Sequence, residues 1–364
     1  MKHRSFLIKP ASSLCNLACK YCFYCDIAKN RNTYSFGVMK NDVMESLVVQ
    51  SLSDDVTHVT YAFQGGEPTL SGIQYFYNFI EYVNKTKTEK QIISYAIQTN
   101  GYTLDEEWVK LFKENQFLVG ISVDGYKENH DRFRPNQKGE GTYQKILDNV
   151  KLLKDNSIDY NILTVLTKTL AKHPDKLYRF YKQEGFDHVQ LIPCLPEQQH
   201  LVNKDPNALT PKLFVSFYNK FYDLWQRDYM KGKYISITLF DNMIPMFKGV
   251  APNQCGMLGI CQPQFVIEAD GSVYPCDFYT FEKYQLGNIK INTIKELSAS
   301  KILHSFLHEP RRMSTSCSSC KFQKLCSGNC KALNVCYFDD KGYCGYQEFL
   351  EKNYQSMYKI AQSL

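Results

Sequence analysis

The sequence predicts an α/β protein built as a (β/α) barrel, partial or full, that is followed by a small cysteine-rich domain. Apolar, strand-like runs alternate with amphipathic helical stretches through residues 1–200, and nine of the 14 cysteines lie between Cys255 and Cys344. Strands separated by helices of about ten residues indicate parallel strands joined by right-handed crossovers. A doubly wound sheet is the alternative arrangement of the same elements.

Six strand-and-helix units can be read along residues 1–200. Each strand is a short apolar run rich in β-branched or aromatic residues, and the stretches between them have apolar residues at helical spacing. Asn41 is a candidate N-cap for the first long helix. The predicted strands cover 5–11, 57–64, 92–101, 117–125, 160–167 and 188–195, and the predicted helices cover 40–52, 73–83, 105–115, 142–155 and 176–185.

Polar residues, glycines or prolines follow four of these strands, in the segments FQGGEP, IQTNG, ISVDG and IPCLP. In a (β/α) barrel, the carboxyl ends of the strands form the edge at which active sites are built. Each segment alone is also explained by simple turn chemistry, because these residue types favour turns. Four such segments in series, together with a cysteine cluster near the N-terminus, favour an active site at this edge.

The pattern changes after residue 200. Residues 212–230 have the apolar spacing of one long amphipathic helix, and the chain from Cys255 onward consists of cysteines and short elements. The pair Asp270–Gly271 stands between alternating apolar runs, which is a strong hairpin signal. We therefore expect two domains, with the barrel at 1–235 and the cysteine-rich domain at 236–364.

Composition argues against several classes of function. The net charge of +6 comes from 43 basic and 37 acidic residues spread along the chain, which predicts no nucleic-acid partner. No apolar run approaches the roughly 18 residues that span a bilayer, and the N-terminal segment does not resemble a signal peptide. These features predict a cytoplasmic protein without membrane association. Clustered cysteines in that compartment are more often metal or iron–sulfur ligands than disulfides.

Three cysteines near the N-terminus form a C-x3-C-x2-C motif: Cys15, Cys19 and Cys22. Three thiolates leave one iron of a four-iron cluster without a protein ligand, and such an iron can bind a cofactor or a substrate. Zinc sites usually show two CxxC pairs, so a structural zinc is the weaker interpretation of this motif.

This motif, with Tyr21 before its third cysteine, resembles the signature of radical S-adenosylmethionine enzymes. The resemblance implies a partial (β/α)6 barrel of the radical S-adenosylmethionine type. In it, Cys15, Cys19 and Cys22 hold a [4Fe–4S] cluster whose open iron chelates S-adenosylmethionine, and reduction releases a 5′-deoxyadenosyl radical. The QGGEP segment (Gln64–Pro68) matches the family's glycine-rich strand end, which meets the methionine amino group. Glycines suit that role because they let the backbone approach a ligand closely.

The C-terminal cysteines resemble the SPASM extension of peptide-modifying radical enzymes. Eight cysteines can ligate two [4Fe–4S] clusters, because each cluster takes four. The resemblance implies one cluster held by Cys255, Cys261, Cys276 and Cys330, and another held by Cys317, Cys320, Cys326 and Cys344. A pair of zinc knuckles is the alternative for this block taken alone. With the N-terminal motif present, three [4Fe–4S] clusters are expected.

Over nearly the whole chain the sequence is similar to the anaerobic sulfatase-maturating enzymes, which oxidise one Cys or Ser of a sulfatase to Cα-formylglycine. The similarity rests on segments such as LIKPASSLCNLACKYCFY, YAFQGGEPTL and VYPCDFY. It implies that Asp277 is the general base that deprotonates the substrate; capping of a local turn is the alternative role. The residues implied to contact S-adenosylmethionine are Tyr21, Gly66, Ser122, Arg134 and Leu195.

The resemblance also implies two partners: an unfolded sulfatase polypeptide or peptide as substrate, and an electron donor such as a flavodoxin or a ferredoxin. Two other functions stay open. One is a SPASM radical enzyme that forms thioether, carbon–carbon or epimerised products on a ribosomal peptide. The 14 residues before Cys15 leave no room for the peptide-recognition domain that such enzymes often carry. The other is a non-catalytic zinc-binding protein. Cys25, Cys194 and Cys336 have no predicted chemistry.

Overall fold

The computed structural model describes residues 2–53, 56–198, 202 and 204–364. The strands are β1 (Lys2–Ile8), β2 (Val56–Phe63), β3 (Ile92–Thr99), β4 (Leu118–Ser122), β5 (Tyr160–Leu166), β6 (His188–Pro193), β7 (Ser236–Ile237), β8 (Val266–Ile267), β9 (Ser272–Tyr274) and β10 (Gly287–Asn288). The helices are α1 (Phe23–Lys29), α2 (Asn41–Ser51), α3 (Ile73–Thr86), α4 (Glu106–Glu114), α5 (Lys127–Phe133), α6 (Tyr143–Asp155), α7 (Pro174–Glu184), α8 (Pro211–Tyr229), α9 (Thr238–Met246), α10 (Ile294–Ser298), α11 (Lys301–His308), α12 (Gln323–Cys326) and α13 (Gly345–Ser363).

The chain divides into two compact units, and the first contains Met1–Ser122, Arg134–Tyr160 and Pro263–Glu309. The strand order in this unit is β10-β9-β8-β1-β2-β3-β4. The pairs from β8 through β4 are parallel, whereas β9 runs antiparallel to both β8 and β10. Because the central strands are parallel, their carboxyl ends lie at one edge, where the loops after β1, β2, β3 and β4 begin.

The core of the first unit forms between the sheet and the apolar faces of its helices. Phe63 of β2 has its ring 4.9 Å from that of Phe76 and 5.1 Å from that of Phe79, both on α3. All three side chains are at most 1% exposed. Burying a side chain of this size stabilises a fold by about 1.5–3 kcal/mol. The strand ends that carry the candidate site therefore rest on a closely packed core.

The predicted hairpin at Asp270–Gly271 is confirmed. In it, β8 pairs antiparallel with β9, with Val266 opposite Tyr274 and Ile267 opposite Val273. Gly271 has φ +90°, a backbone conformation that side-chain-bearing residues rarely adopt. The hairpin brings the chain to Cys276 and Asp277, which follow β9 after Pro275.

The second compact unit contains Val123–Phe133, Asn161–Gln262 and Pro310–Leu364. It holds three parallel strands in the order β5-β6-β7, with β5 included from its second residue onward. The long helices α8 and α13 pack against each other through aromatic rings, such as those of Tyr218 and Phe349 at 5.9 Å. Both side chains are at most 1% exposed.

The six predicted strand-and-helix units are confirmed as β1 to β6, and the predicted long helix is α8. The prediction of Asn41 as an N-cap is wrong by one residue. Lys40 is the N-cap and has extended backbone angles, and its side chain makes no capping hydrogen bond.

The domain boundary near residue 235 stays a prediction; both compact units include residues from either side of it. Within the described residues, no helix has the length and apolar character of a membrane span.

Candidate active site

The C-x3-C-x2-C motif lies in the loop between β1 and α1, and residues 136–137 hold this loop in place. Leu17 forms an antiparallel bridge with Asn136. The side-chain amide of Gln137 donates to the carbonyls of Cys15 and Leu17 at 3.1 and 2.9 Å. A set of metal ligands needs this kind of support from a second layer of hydrogen bonds.

The thiols of the motif are half-buried, and their surroundings suit bound thiolates. Cys22 is the N-cap of α1, where its Sγ accepts the N–H of Cys25 at 3.4 Å. N–H groups at a helix start favour the thiolate form. Burial acts in the opposite direction, since it raises the pKa of Cys22 and raises that of Cys15 to about 11. Thiolates at this depth need a positive partner, which a bound iron–sulfur cluster provides.

Gly66, after β2, is required because the cysteine loop passes very close to it. A Cβ atom at Gly66 would lie 2.1 Å from the carbonyl oxygen of Leu14. The N–H of Gly66 donates to the carbonyl of Ser12 at 2.7 Å, and that of Glu67 donates to Leu14 at 2.7 Å. The close backbone approach expected at this glycine is therefore made to the cysteine loop; a contact of Gly66 with S-adenosylmethionine stays a prediction.

Of the other predicted cofactor contacts, Arg134 and Tyr21 are hydrogen-bonded to each other. The guanidinium of Arg134 donates to the hydroxyl of Tyr21 at 2.8 Å, and Arg134 is 7% exposed. Ser122 is the half-buried last residue of β4. These residues and Gly66 belong to the first compact unit, whereas Leu195 follows β6 in the second unit and is half-buried. The Arg134–Tyr21 bond orients both side chains beside the third cysteine of the motif.

Asp277 is held at both carboxylate oxygens. Lys9 Nζ lies 2.5 Å from Oδ1 and forms an ion pair with it, but the angles at these two atoms are not those of a hydrogen bond. The Gln64 side-chain amide donates to Oδ2 at 2.7 Å. The Lys9 side chain is fully buried and that of Asp277 is 12% exposed. Lys9 Nζ also lies 3.3 Å from the centroid of the Tyr24 ring, a cation–π contact.

A second buried ion pair lies behind Lys9. The hydroxyl of Tyr24 donates to Glu268 of the hairpin, which also forms an ion pair with Arg31 at 2.8 Å. Burial and the nearby Glu268 carboxylate raise the pKa of Tyr24 well above its ordinary value. Burial alone would lower the pKa of Arg31, but Glu268 and Tyr24 together outweigh burial and raise that pKa. The two pairs, Lys9–Asp277 and Arg31–Glu268, balance their charges inside the unit.

In the second unit, four cysteines line one pocket: Cys317, Cys320, Cys326 and Cys344. Phe322, Tyr346 and Leu350 contribute apolar walls to the same pocket. Burial raises the pKa of Cys344, and it raises that of Cys326 to about 11. Four convergent thiols in an apolar pocket are what a fully ligated iron–sulfur cluster requires.

A further group in the second unit contains Cys255, Cys261 and Cys330. A Cβ atom on Gly256 would lie 2.7 Å from the Cβ of Cys330, so this glycine lets the two segments meet. Burial raises the pKa of both Cys261 and Cys330. Cys276, the fourth residue of the predicted set, belongs to the first unit, where it follows the hairpin.

The predicted cluster ligands are all thiols, and cysteine thiolates are the ligands that hold iron–sulfur clusters. Four of these thiols line one pocket together. The chemistry of the donors therefore fits iron–sulfur clusters.

Two residues beside the cysteine loop were missed by the sequence reasoning: Glu67 and Asn100. Glu67 is fully buried, and Asn100 donates from its side chain to Cys15 Sγ and to Asn16. Both stand in strand-end segments that the sequence had marked, GGEP and QTNG. Their polar side chains were the available signal, but the pairing between the two segments could not be read from either one.

Comparison with known proteins places the chain in a family. Residues 10–181 match the radical SAM superfamily, and residues 259–321 match the iron–sulfur cluster-binding domain SPASM. The chain is 42% identical over 369 residues to the cysteine-type anaerobic sulfatase-maturating enzyme of Clostridium novyi, covering 100% of this chain and 99% of that protein. The chain belongs to the anaerobic sulfatase-maturating enzymes. It is therefore a radical S-adenosylmethionine enzyme of post-translational modification.

Two further comparisons concern another relative and a solved structure. The serine-type anaerobic sulfatase-maturating enzyme of Bacteroides thetaiotaomicron is 29% identical over 340 residues, covering 89% of this chain and 81% of that protein. The solved structure of native anSMEcpe with bound AdoMet and Kp18Cys peptide is 37% identical, has a TM-score of 0.92 and covers 100% of both chains. The predicted family, α/β fold class and enzyme class of this sulfatase-maturating enzyme are confirmed. Its radical SAM and SPASM domains imply iron–sulfur clusters and S-adenosylmethionine as cofactors.

Proposed function

We propose that this enzyme oxidises a cysteine of an unfolded sulfatase segment to Cα-formylglycine, with Asp277 as the general base. The observation that carries the proposal is the setting of Asp277, a nearly buried carboxylate held by Lys9 and Gln64 directly after Cys276. Cysteine as the oxidised residue is supported by the relatives: the cysteine-type enzyme is 42% identical and the serine-type enzyme 29%.

The proposed cofactor set is three [4Fe–4S] clusters and S-adenosylmethionine. When bound, the N-terminal cluster and S-adenosylmethionine supply the radical that takes a hydrogen atom, and the other clusters supply an acceptor for an electron. The proposed ligands are Cys15, Cys19 and Cys22 for the first cluster, Cys255, Cys261, Cys276 and Cys330 for the second, and Cys317, Cys320, Cys326 and Cys344 for the third. The proposed contacts of S-adenosylmethionine are Tyr21, Gly66, Ser122, Arg134 and Leu195.

Asp277 has a defined part in the oxidation. Conversion of the substrate cysteine to a thioaldehyde removes a hydrogen atom from Cβ, a proton from the thiol and one electron. Asp277 takes the proton as the general base, and Lys9 is paired with its Oδ1. Gln64 fixes the second oxygen, so the carboxylate cannot rotate freely. Water then converts the thioaldehyde to the aldehyde and releases hydrogen sulfide.

Two features of the proposal concern the cellular setting. A flavodoxin or a ferredoxin is the proposed electron donor, because the N-terminal cluster must be reduced by one electron before it can act. The proposed location is the cytoplasm, where the sulfatase chain is still unfolded and its cysteine is accessible. The structure of a relative with bound peptide supports a peptide substrate.

An anaerobic assay tests the proposed function. The reconstituted enzyme, a reductant and S-adenosylmethionine are incubated with a sulfatase peptide of the form C-x-P-x-R, and the product is analysed by mass spectrometry and aldehyde trapping. We expect conversion of the cysteine to an aldehyde, with slower conversion of the matched serine peptide. Consumption of S-adenosylmethionine with an unmodified peptide, or with a cross-linked or epimerised one, would contradict the proposal.

A further inference from the structure

We infer that Asn100, held by the buried carboxylate of Glu67, positions Cys15 and raises the reduction potential of the cluster on the C-x3-C-x2-C loop. The inference rests on the proposed ligation of that cluster by Cys15. It does not depend on which substrate the enzyme oxidises.

The orientation of the Asn100 amide is fixed by its partners. Its Oδ1 accepts the backbone N–H of Tyr102 at 2.8 Å. The nitrogen must therefore face the cysteine loop, because a backbone N–H can only donate. Both hydrogens of that nitrogen are used: Nδ2 donates to Asn16 Oδ1 at 2.7 Å and to Cys15 Sγ at 3.8 Å.

Glu67 fixes the backbone that carries this amide. Its Oε2 accepts the N–H of Asn100 at 2.7 Å. Its Oε1 accepts the hydroxyl of Thr99 at 2.6 Å, and the hydroxyl and N–H of Thr69 at 2.8 and 3.1 Å. A buried carboxylate is costly unless it is satisfied in this way. Glu67 thus ties the segment after β2 to the end of β3, so Asn100 stays in place.

The effect on the cluster follows from charge. Cys15 Sγ accepts two donors, the backbone N–H of Leu17 at 3.4 Å and the amide of Asn100. Hydrogen bonds to ligand sulfurs are among the factors that set iron–sulfur potentials. Donors stabilise negative charge, and the reduced cluster carries one electron more than the oxidised cluster. The amide of Asn100 therefore favours the reduced state, and its removal makes the cluster harder to reduce.

Two variants separate this effect from side effects of substitution. Asn100→Leu removes the donor without adding charge. Asn100→Asp keeps the acceptor for Tyr102 and removes the donor, and it adds a negative charge that also opposes reduction. Thr69→Val is the matched control, because it removes one hydrogen bond from Glu67 and leaves every contact of Asn100. The holoenzymes are titrated electrochemically under electron paramagnetic resonance, and the N-terminal cluster is identified by the change of its signal on addition of S-adenosylmethionine.

We expect about a tenfold fall in the ratio of reduced to oxidised cluster at a given potential in Asn100→Leu, which corresponds to about 59 mV for a one-electron couple. The fall in Asn100→Asp should be larger, because its carboxylate adds negative charge. The Thr69→Val enzyme should titrate like the wild type. Loss of iron from the N-terminal site in the Asn100 variants alone would also support the inference, because it shows that Cys15 was displaced. An unchanged potential with full iron content would overturn it. The titration uses no peptide, so a failed sulfatase assay would leave this result standing.

Discussion

At the scale of the residue, Asp277 differs from the many acidic residues at the surface because each of its oxygens has a fixed partner. Lys9 comes from the end of β1, Gln64 follows β2, and Asp277 follows the hairpin. A general base must be within reach of the proton it takes, and its side chain must stay in the orientation that can accept that proton. The two contacts meet the second condition before any substrate binds.

Replacement of the base gives the first prediction. Asp277→Asn keeps the shape of the side chain and cannot accept the proton, so we expect peptide oxidation to fall by about 10²- to 10⁴-fold. Iron and sulfide content should be unchanged, because the neighbouring Cys276 is retained. The measurement is the initial rate of aldehyde formation beside the rate of S-adenosylmethionine cleavage. Wild-type oxidation by this variant would remove Asp277 from the role of base.

Removal of the cation gives the second prediction. Lys9→Met leaves the carboxylate of Asp277 without its buried partner, and breaking such a pair costs about 3–5 kcal/mol. Lys9→Met combined with Asp277→Asn removes both charges and should recover part of that loss. The measurement is the midpoint of anaerobic guanidinium unfolding of the holoenzyme.

A surface variant controls for the loss of a lysine as such. Lys110 lies 4.0 Å from Glu114, and both side chains are more than half exposed. Exposed pairs contribute only about 0–1 kcal/mol, so Lys110→Met should leave the unfolding midpoint nearly unchanged. If Lys9→Met were no more destabilising than Lys110→Met, the buried ion pair would not have the importance that we give it.

The residues of the candidate site differ in how much of their role could be predicted from the sequence. The cysteines stand in spacings that predict cluster ligands, and their assignment to particular clusters stays a prediction. The contacts of Lys9, Gln64, Glu67 and Asn100 could not be predicted, because each becomes significant only through a partner from another strand end. A single lysine in an apolar run carries no sign that it will meet a carboxylate far along the chain.

At the scale of the element, the cysteine loop depends on how closely the segment after β2 approaches it. The N–H groups of Gly66 and Glu67 donate to the loop carbonyls of Ser12 and Leu14. Side chains alone do not define this loop; the backbone of a neighbouring strand end does. The sequence predicted a close backbone approach at this glycine, and the structure shows one to the cysteine loop. A contact of Gly66 with S-adenosylmethionine stays a prediction.

That contact gives the third prediction. Gly66→Ala would place a Cβ atom 2.1 Å from the carbonyl oxygen of Leu14, a backbone atom that can only yield if the loop moves. We expect loss of the N-terminal cluster with the fold retained, measured as a fall in iron content and loss of the signal that responds to S-adenosylmethionine.

Gly139→Ala is the comparison variant. Gly139 has a positive φ, at +82°, and no atom beyond its chain neighbours lies within 4 Å of the position of its Cβ. We expect a small loss of stability there, on the order of 1 kcal/mol, and a full set of clusters. Equal iron content in the two variants would show that the approach at Gly66 does not matter for the loop.

At the scale of the whole molecule, the alternation of strands and helices was sufficient to predict the α/β class and all six strand-and-helix units. Their order along the chain follows from the spacing of apolar residues within each segment, which is a local property of the sequence. The two compact units could not be predicted, because each is assembled from separated segments: residues 263–309 group with the first four strands, and residues 310–364 group with β5 to β7. Such grouping depends on contacts between distant parts of the chain.

Isotopic labelling provides the most direct test of the central claim, that this enzyme oxidises the Cβ of a sulfatase cysteine. A C-x-P-x-R peptide is prepared with deuterium on the cysteine Cβ and incubated with the reduced holoenzyme and S-adenosylmethionine. We expect deuterium to appear in 5′-deoxyadenosine as the peptide becomes an aldehyde, and we expect the Asp277→Asn enzyme to form far less aldehyde. Deuterium that stays in the peptide while unlabelled 5′-deoxyadenosine accumulates would contradict the account.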